Sequence, residues 1–150
     1  MKNISALECI KILSNNYIGY LAYLHQKQSF VVPITYYYDK DDNSIISYSG
    51  EGQKIDAMRK NKQVSFEVTE IKSINNWQSI LVQGIYNELE GSTAKYYLHE
   101  FAKGVKKLIS EKDKDAVKFI SEFSSKITSG KIPVVYRIQI TDIIGKQRDS

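Results

Sequence analysis

The residues with the clearest capacity for chemistry stand in one short segment, residues 49–54, which reads SGEGQK. The segment follows an apolar run and opens into a helical pattern, so it offers a serine hydroxyl, two glycines, backbone N–H groups at a helix start and Lys54. Together these groups can bind a phosphate through amide donors, the helix dipole and a full positive charge. The same composition is typical of an ordinary strand-to-helix turn, so the segment alone leaves both interpretations open.

The spacing within this segment excludes the two common nucleotide loops. A Walker loop has four residues between its glycines and Ser or Thr after its lysine, whereas here Glu51 alone separates the glycines and Ile55 follows Lys54. A dinucleotide GxGxxG motif would need a third glycine in place of Ile55, followed by a parallel βαβ unit. Any phosphate bound here is therefore held by a loop of another kind.

Pro33 is a second feature that points to a binding site, because it lies inside a stretch predicted to be a strand over residues 29–38. Proline cannot donate to a sheet ladder, so we expect the pairing to break or bulge there. Such a break would free the backbone groups of Val32, Ile34 and Thr35 to face a flat polar ligand. An edge strand with nothing bound is the alternative.

A third feature is the pair Trp77 and Ser79 at the start of a long strand predicted over residues 77–90. The two residues are two apart and therefore lie on one face of the strand. Trp77 can form the wall of a ligand site, but packing in a core or an interface explains it equally well. Gly84, in the middle of the strand, predicts a bulge or a close backbone approach.

Side chains for acid–base, nucleophilic or metal chemistry are few. His25 and His99 are the only histidines and have no metal-ligand spacing, and no GxSxG elbow supports a catalytic triad. The single cysteine, Cys9, lies in a helical pattern with nothing nearby to activate it, which favours a buried structural thiol. The sequence therefore assigns no catalytic residue and predicts no metal site.

Most of the remaining pattern is that of short strands. Apolar and β-branched residues predict about six strands, over residues 17–25, 29–38, 44–49, 63–71, 77–90 and 133–144. Helices are predicted near residues 4–14, after the 49–54 segment, from 92 to about 109 and over 114–126. The first three strands follow one another without intervening helices, so we expect a mainly β fold, a small antiparallel barrel with peripheral helices.

Composition limits the class of protein. The 150 residues suit a single domain, and no apolar run reaches the ~18 residues of a membrane span. The N-terminus has no uninterrupted signal-peptide core, so we expect a cytoplasmic protein with no membrane partner. The net charge of +4 arises largely from lysines between residues 103 and 118 that alternate with acidic residues, which indicates a solvated helix rather than a nucleic-acid site.

Taken in order, these pieces resemble the FMN-binding split barrels related to pyridoxamine 5'-phosphate oxidase, in the short branch that includes nitroimidazole-resistance proteins. The resemblance covers about residues 4–146, and it is carried by order and spacing rather than by one motif. The matching segments are GYLA at 19–22, VVPI at 31–34 with Tyr36, ISYS at 46–49, GQK at 52–54, NKQVSFE at 61–67, WQS at 77–79 with Gly84, YRIQI at 136–140 and IGK at 144–146.

The resemblance implies a six-stranded antiparallel split β-barrel of the FMN-binding type, spanning residues 1–150 as one domain. It also implies a homodimer with FMN at the subunit interface, touched by both chains. Carried over by position, Ser49, Gln53 and Lys54 would hold the FMN phosphate. Backbone at Pro33, Ile34, Thr35 and Tyr36 would line the isoalloxazine, Tyr48 would lie near the ring or ribityl chain, and Trp77 and Ser79 would come from the partner or close the pocket.

Two departures from the family pattern bear on activity. The short branch usually has histidine where this chain has Tyr48, so chemistry that depends on an imidazole there is in doubt. The Arg- and Trp-containing C-terminal signature of true pyridoxamine phosphate oxidases is replaced by GKQRDS at residues 145–150, which argues against vitamin B6 oxidation.

The function expected from these features is an FMN-dependent oxidoreductase that reduces a small nitroaromatic or quinone-like electrophile with electrons from NADH or NADPH. The flavin would supply the redox chemistry and the protein would supply position and electrostatics. The alternatives are a flavin-binding module without turnover, such as a store, sensor or electron carrier, and a haem-binding split barrel.

Overall fold

The computed structural model describes residues 1–112 and 133–149, and these form eight strands and three helices. The strands are β1 (Lys2–Ile4), β2 (Ile18–His25), β3 (Gln28–Thr35), β4 (Tyr37–Asp39), β5 (Ser44–Ser49), β6 (Gln63–Ser73), β7 (Asn76–Leu89) and β8 (Val134–Arg148). The helices are α1 (Ala6–Ser14), α2 (Gln53–Lys60) and α3 (Gly91–Lys112). The helix predicted over residues 114–126 lies outside the described residues. No helix within the described ranges is long and apolar enough to cross a membrane.

All the strands belong to one antiparallel sheet, ordered β3-β2-β6-β7-β8-β5-β4, with β1 paired to the far end of β8. The two edge strands, β3 and β4, are consecutive in the chain and do not pair with each other. The sheet is therefore not closed, which is the arrangement of a split barrel. The prediction of a mainly β, antiparallel split barrel with peripheral helices is confirmed.

The number of strands differs from the six expected, for two reasons. The strand predicted over residues 29–38 is divided into β3 and β4 at Tyr36, whose N–H donates to the carbonyl of Tyr17 at 2.8 Å. The buried Tyr36 hydroxyl donates to the carbonyl of Leu13, also at 2.8 Å, so both its backbone and its side chain turn away from the ladder. Strand β1 was not predicted, because three residues are too few to show a periodicity.

The break expected at Pro33 does not occur there. Strand β3 pairs with β2 without interruption from Gln28 to Thr35, and Pro33 stands opposite Tyr20. Because β3 is an edge strand, a residue without an N–H can face the open side without loss of a ladder hydrogen bond. The stretch that contains Pro33 is an edge strand, and the discontinuity falls at Tyr36 instead.

The concave face of the sheet encloses the main hydrophobic core, which α1 and α2 cover. Leu21, Phe66, Val82 and other inward residues of the strands are fully buried and alternate with outward residues, as period-two patterning requires. Gly19 is required by this packing, because a Cβ there would lie 2.2 Å from the Phe66 ring. A second, smaller core lies between α3 and β5 and contains Ile46.

The irregularity predicted at Gly84 is confirmed. The register between β7 and β8 shifts between Gln83 and Gly84, so one extra residue is accommodated in β8 at this point. A Cβ on Gly84 would lie 2.4 Å from a methyl group of Ile138 and 2.7 Å from the carbonyl oxygen of Gln139. The glycine therefore permits the close approach of two strands at the bulge.

Candidate functional site

The segment singled out in the sequence, residues 49–54, connects the end of β5 to the start of α2 and is called the anion loop below. Gly52 occupies the N-cap of α2 and provides no side-chain hydrogen bond to the first turn. The backbone N–H groups of that turn therefore have no capping acceptor from the N-cap residue. They form the positive end of the helix, with the Lys54 side chain beside them.

Lys54 is half-buried and has no hydrogen bond or ion pair with any described residue. Burial lowers the pKa of its ammonium group below the ordinary value of 10.5, and no neighbouring carboxylate counteracts this effect. A partly desolvated cation without a counterion is unfavourable, and a bound anion would offset that cost. The combination with an uncapped helix start is suited to a phosphate.

The two glycines of the anion loop are not required by the protein's own backbone or packing. A Cβ at Gly50 or Gly52 would meet no atom within 4 Å. Gly52 has an extended φ of 167°, a conformation that any residue can adopt. Small residues here keep the surface of the loop open, so a ligand could approach the backbone closely.

Arg59, in the last turn of α2, holds the anion loop in place. Its guanidinium donates two hydrogen bonds to the Glu51 carboxylate, at 2.8 and 2.9 Å, and two to Glu88 of β7, at 2.8 and 3.1 Å. Glu88 also accepts a hydrogen bond of 2.8 Å from the Tyr86 hydroxyl, and the pairing with Arg59 lowers the pKa of Glu88. The network neutralises the loop's one carboxylate, which would otherwise repel an anion. No periodic pattern indicated this network, because its members are far apart in the chain.

The other two predicted phosphate ligands have partners within the protein. Gln53 donates from Nε2 to the Tyr23 hydroxyl at 3.4 Å, which ties the start of α2 to β2. Ser49 donates from Oγ to the carbonyl of Gly50 at 2.9 Å, so its hydroxyl bonds within the loop. The structure places Ser49, Gln53 and Lys54 in one segment, with Lys54 the member that lacks a partner among the described residues.

Tyr48 precedes the anion loop on β5 and packs against α3. Its ring contacts that of Phe101 edge-to-face, with centroids 5.3 Å apart and an interplanar angle of 87°. Half-burial raises the pKa of its phenol above 10.0, so the group is a neutral hydroxyl at physiological pH. Helix α3 therefore contacts the ring that is predicted to lie near a flavin.

The four residues predicted to line an isoalloxazine are divided between the two faces of β3. Pro33 and Thr35 lie on the outer face, whereas Ile34 and Tyr36 are buried in the core. The Thr35 carbonyl accepts a hydrogen bond of 2.7 Å from the buried Ser47 hydroxyl. The side chains of Ile34 and Tyr36 are therefore not available to a ligand on the outer face, and the predicted contact would have to be made by their backbone.

Trp77 and Ser79 lie on the outer face of β7 and do not meet the anion loop. Ser79 donates from Oγ to Glu67 at 3.2 Å, and Trp77 stands opposite Ile71 and Arg148 in the two neighbouring strands. Within the described part of one chain, neither residue has a hydrogen bond or ring contact with the loop. The predicted site residues thus form two groups, one at the loop and one on the outer face.

The outer face of the sheet around Trp77 and Ser79 exposes several large apolar side chains. Tyr20, Glu67, Leu81 and Ile144 stand side by side across β2, β6, β7 and β8, in direct cross-strand register. Tyr20 is 44% exposed and Ile144 49% exposed, although both are large and apolar. We call this row and its exposed neighbours the outer patch; the neighbours are Ile18, Leu24 and Val31. Contiguous exposed apolar residues of this kind mark an interaction surface.

The two histidines lie on separate elements. His25 ends β2, with its ring 6.3 Å from that of Phe30, and His99 is exposed on α3. Among the described residues no group of three His, Cys, Asp or Glu side chains is arranged to hold a metal ion. Cys9 is buried, as expected, and its thiol pKa is raised by burial.

The chain is similar to known proteins in sequence and in fold. The model of the family described as pyridoxamine 5'-phosphate oxidase matches residues 5–147. An uncharacterized protein of Rhizobium meliloti is 38% identical over 82 residues, which is 55% of this chain and 53% of that protein. The chain therefore matches about half the length of this curated relative.

Two solved structures have the same fold. A protein of Mesorhizobium loti described as FAD-binding is 29% identical, with a TM-score of 0.76, and the match covers 99% of this chain and 97% of the other. A Bacteroides thetaiotaomicron protein described as a putative 5-nitroimidazole antibiotic resistance protein is 14% identical, with a TM-score of 0.67 and coverage of 96% and 86%.

Proposed function

The chain belongs to the pyridoxamine 5'-phosphate oxidase family, and we propose that it binds FMN, or the FMN moiety of a larger flavin, with the phosphate at the anion loop. The Mesorhizobium loti protein is described as FAD-binding, which supports a flavin as the ligand class. The flavin would supply two-electron redox chemistry at its ring. The residues of this chain would bind and orient it.

The observation that carries the proposal is Lys54. It is a half-buried cation without a counterion among the described residues, beside a helix start that its N-cap residue leaves uncapped. A phosphate would accept hydrogen bonds from the first-turn N–H groups and pair with the ammonium group. Arg59 supports this site indirectly, since it neutralises Glu51 and fixes the loop.

The proposed site is completed by a second copy of the chain. Within one chain, Trp77 and Ser79 lie on the outer face, away from the anion loop, in line with a surface rich in exposed apolar residues. We propose that two copies pair through the outer patch, so that Trp77 and Ser79 of each copy close the flavin site of the other. The pairing would remove Tyr20, Leu81 and Ile144 from water.

The proposed activity is reduction of a small nitroaromatic or quinone-like electrophile, with electrons from NADH or NADPH. The side chains around the loop supply position and charge, and none is assigned a proton-transfer role. Tyr48 is a neutral phenol held by Phe101, so it can donate a hydrogen bond but is not a base near neutral pH. A flavin-binding module without turnover is the alternative that the same residues would serve.

The proposal is tested by titrating the purified protein with FMN and following quenching of flavin fluorescence. Lys54→Ala should weaken binding by roughly 1.5–3 kcal/mol, the usual contribution of a charge-assisted hydrogen bond. Lys62→Ala is the matched control, because Lys62 is an exposed lysine just beyond α2 and outside the anion loop. Absence of flavin binding by the wild type contradicts the proposal, and equal affinity in Lys54→Ala places the phosphate elsewhere.

A second measurement separates the enzyme from the binding module. The flavin-loaded protein is mixed anaerobically with NADH or NADPH, and the loss of oxidised-flavin absorbance is recorded. Reduction followed by reoxidation with a quinone or nitroaromatic supports the oxidoreductase. A flavin that stays oxidised with both donors supports the module without turnover.

A further inference from the structure

A concavity on the outer face of the sheet crosses β2, β6 and β7 and is called the sheet groove below. Its volume is about 500 Å³, within the range of roughly 300–1,000 Å³ typical of small-molecule sites. Ala22 and Ser65 stand opposite each other in neighbouring strands and form its floor. None of the residues predicted for the flavin site lines it, so the groove has no part in the function proposed above.

The sheet groove lies over the irregularity in the pairing of β7 with β8. Thr141 is the extra residue of β8, because the register shifts between Gln83 and Gly84. The Thr141 hydroxyl donates to the carbonyl of Gln83 at 3.1 Å, and both residues line the groove. Bulges redirect side chains and are frequent beside functional sites, so this position in the sheet favours a binding role.

Three side-chain amides at the sheet groove have N–H groups without an acceptor among the described residues. The Gln83 Oε1 accepts a hydrogen bond of 2.7 Å from Ser65, which leaves its Nε2 as a donor. The Asn61 Oδ1 accepts one of 3.2 Å from the backbone N–H of Gln63, which leaves its Nδ2 as a donor. The side chain of Gln63 bonds to no described residue. The groove therefore offers several donors to a ligand that carries acceptor oxygens.

The sheet groove favours a ligand without charge. Leu24 and Ile85 supply apolar surface, and no charged side chain is among the residues that line the groove. The neighbouring charge is that of Asp142, which stands opposite Gln83 in β8 and would repel an anion. Because a charge removed from water without a partner is costly, an uncharged ligand fits these walls best.

We propose that the sheet groove binds an uncharged, flat aromatic compound that carries carbonyl oxygens. The ring would lie over Ala22, between Leu24 and Ile85, and its oxygens would accept hydrogen bonds from Gln63 and Gln83. This site is independent of the anion loop. Leu24 also belongs to the outer patch, so pairing of two copies through that patch would bury such a ligand further.

The test compares two probes of the same two-ring shape by isothermal titration calorimetry. Coumarin has a carbonyl group, whereas naphthalene has no acceptor oxygen. Coumarin should bind the wild type about two- to tenfold more tightly than naphthalene, which is the usual contribution of one neutral hydrogen bond. The double variant Gln63→Leu, Gln83→Leu should lose this difference and keep its affinity for naphthalene. Ala22→Phe should abolish binding of both probes, because the new ring would fill the groove.

Matched controls locate the site. Gln78→Leu removes an amide of the same strand outside the sheet groove and should leave both affinities unchanged. Lys54→Ala should also leave coumarin binding unchanged, and the coumarin affinity should be the same with and without FMN. Failure of the flavin site and failure of the groove are therefore separate results. Melting temperatures establish that all variants are folded.

Four outcomes overturn the inference. These are absence of coumarin binding, equal affinities for coumarin and naphthalene, coumarin binding that Ala22→Phe leaves intact, and coumarin binding that the double variant leaves intact. If coumarin binds only to a variant that has lost pairing through the outer patch, a second copy covers the groove and the assignment to a small molecule is wrong.

Discussion

Lys54 shows how the environment of one residue can indicate a ligand. The charge of an exposed lysine is solvated by water and needs no counterion. Lys54, in contrast, is half-buried beside an uncapped helix start and has no counterion among the described residues. Its pKa is lowered by burial alone. A phosphate dianion in this position would raise that pKa again, so ligand binding and proton uptake at Lys54 are linked.

This linkage predicts the pH dependence of flavin binding. The ligand-free protein has a lowered Lys54 pKa, so the ammonium group loses its proton at a lower pH than an ordinary lysine at 10.5. Flavin affinity should therefore fall as the pH rises through the lowered pKa. Lys54→Arg should remove this fall, because the guanidinium keeps its charge. Flavin titrations of the wild type and of Lys54→Arg at a series of alkaline pH values check this prediction. If the affinity depends on pH in the same way for both proteins, the role of Lys54 is contradicted.

The same shift has a defined sign for stability. Because the folded-state pKa of Lys54 lies below its unfolded value, the unfolded chain binds more protons between the two values. The contribution of Lys54 to the free energy of unfolding of the ligand-free protein therefore increases with pH across that interval. Bound flavin would raise the pKa of Lys54 again by supplying a counterion. The increase in the free energy of unfolding that flavin causes should therefore be largest at pH values below the lowered pKa of Lys54.

At the scale of elements, the anion loop depends on α2 and β7 through Arg59. The guanidinium donates hydrogen bonds to Glu51 of the loop and to Glu88 of β7, so it joins the loop, α2 and β7 at one point. The loop is otherwise tied down by Gln53 and the short bond of Ser49. The position of the phosphate site is therefore set by a residue that does not touch the ligand.

The role of Arg59 can be measured with a double-mutant cycle. Arg59→Gln should weaken FMN binding a few-fold, because Glu51 is released with its negative charge beside the phosphate site. Glu51→Gln should have little effect or strengthen binding slightly. In the double variant the loss of affinity should be largely restored, since no unpaired carboxylate is left in the anion loop itself. If the double variant binds as weakly as Arg59→Gln, Arg59 acts through the fold and not through the charge of Glu51.

The packing of α3 onto the sheet depends on Gly104. A Cβ at this position would lie 2.3 Å from the ring of Tyr37, so the helix approaches β4 closely only because it has glycine here. Gly104→Ala should lower the free energy of unfolding by roughly 1–3 kcal/mol through overpacking, despite the higher helix propensity of alanine.

Urea denaturation measures this effect, and a second background isolates its cause. With Tyr37→Leu in place, Gly104→Ala should become neutral or stabilising, because the ring that it would strike is gone. If alanine destabilises equally in both backgrounds, the contact with Tyr37 does not explain the glycine. Gly50→Ala is a suitable control, since a Cβ there meets no atom within 4 Å.

The sequence was sufficient for those elements that have a strong local signal. The alternation of Val64, Phe66 and Val68 predicted β6, and Gly84 predicted the irregularity in the pairing of β7 with β8. The prediction of a break at Pro33 was wrong, because the position of a strand within a sheet is not a local property. The proline is tolerated because β3 is an edge strand, and pairings between residues far apart in the chain place β3 at the edge. Within the site, the anion loop had a local motif, whereas the Arg59 network arises from residues far apart in the chain.

At the scale of the whole molecule, the two faces of the sheet have different roles. The inner face forms the core with α1 and α2, whereas the outer face exposes Tyr20, Leu81 and Ile144 in one cross-strand row that also contains Glu67. If two copies pair there, Leu81→Glu should convert the dimer to a monomer, since a second carboxylate would be buried in the pairing directly opposite Glu67. Light scattering after gel filtration gives the mass, and Lys62→Ala serves as the control. A variant that is still dimeric would show that the copies pair through another surface.

The strongest consequence of pairing is that each flavin site would contain residues of both chains. Lys54→Ala and Trp77→Ala should each weaken both sites of their own homodimers. In a heterodimer of the two variants, isolated with two different affinity tags, one site combines the intact Lys54 of one copy with the intact Trp77 of the other. The other site lacks both. One site per dimer should therefore bind FMN with wild-type affinity and one should be severely weakened. If each site is instead formed within a single chain, no wild-type site appears in the heterodimer, and the titration equals the average of the two homodimers. A heterodimer of differently tagged wild-type chains shows that the tags are without effect.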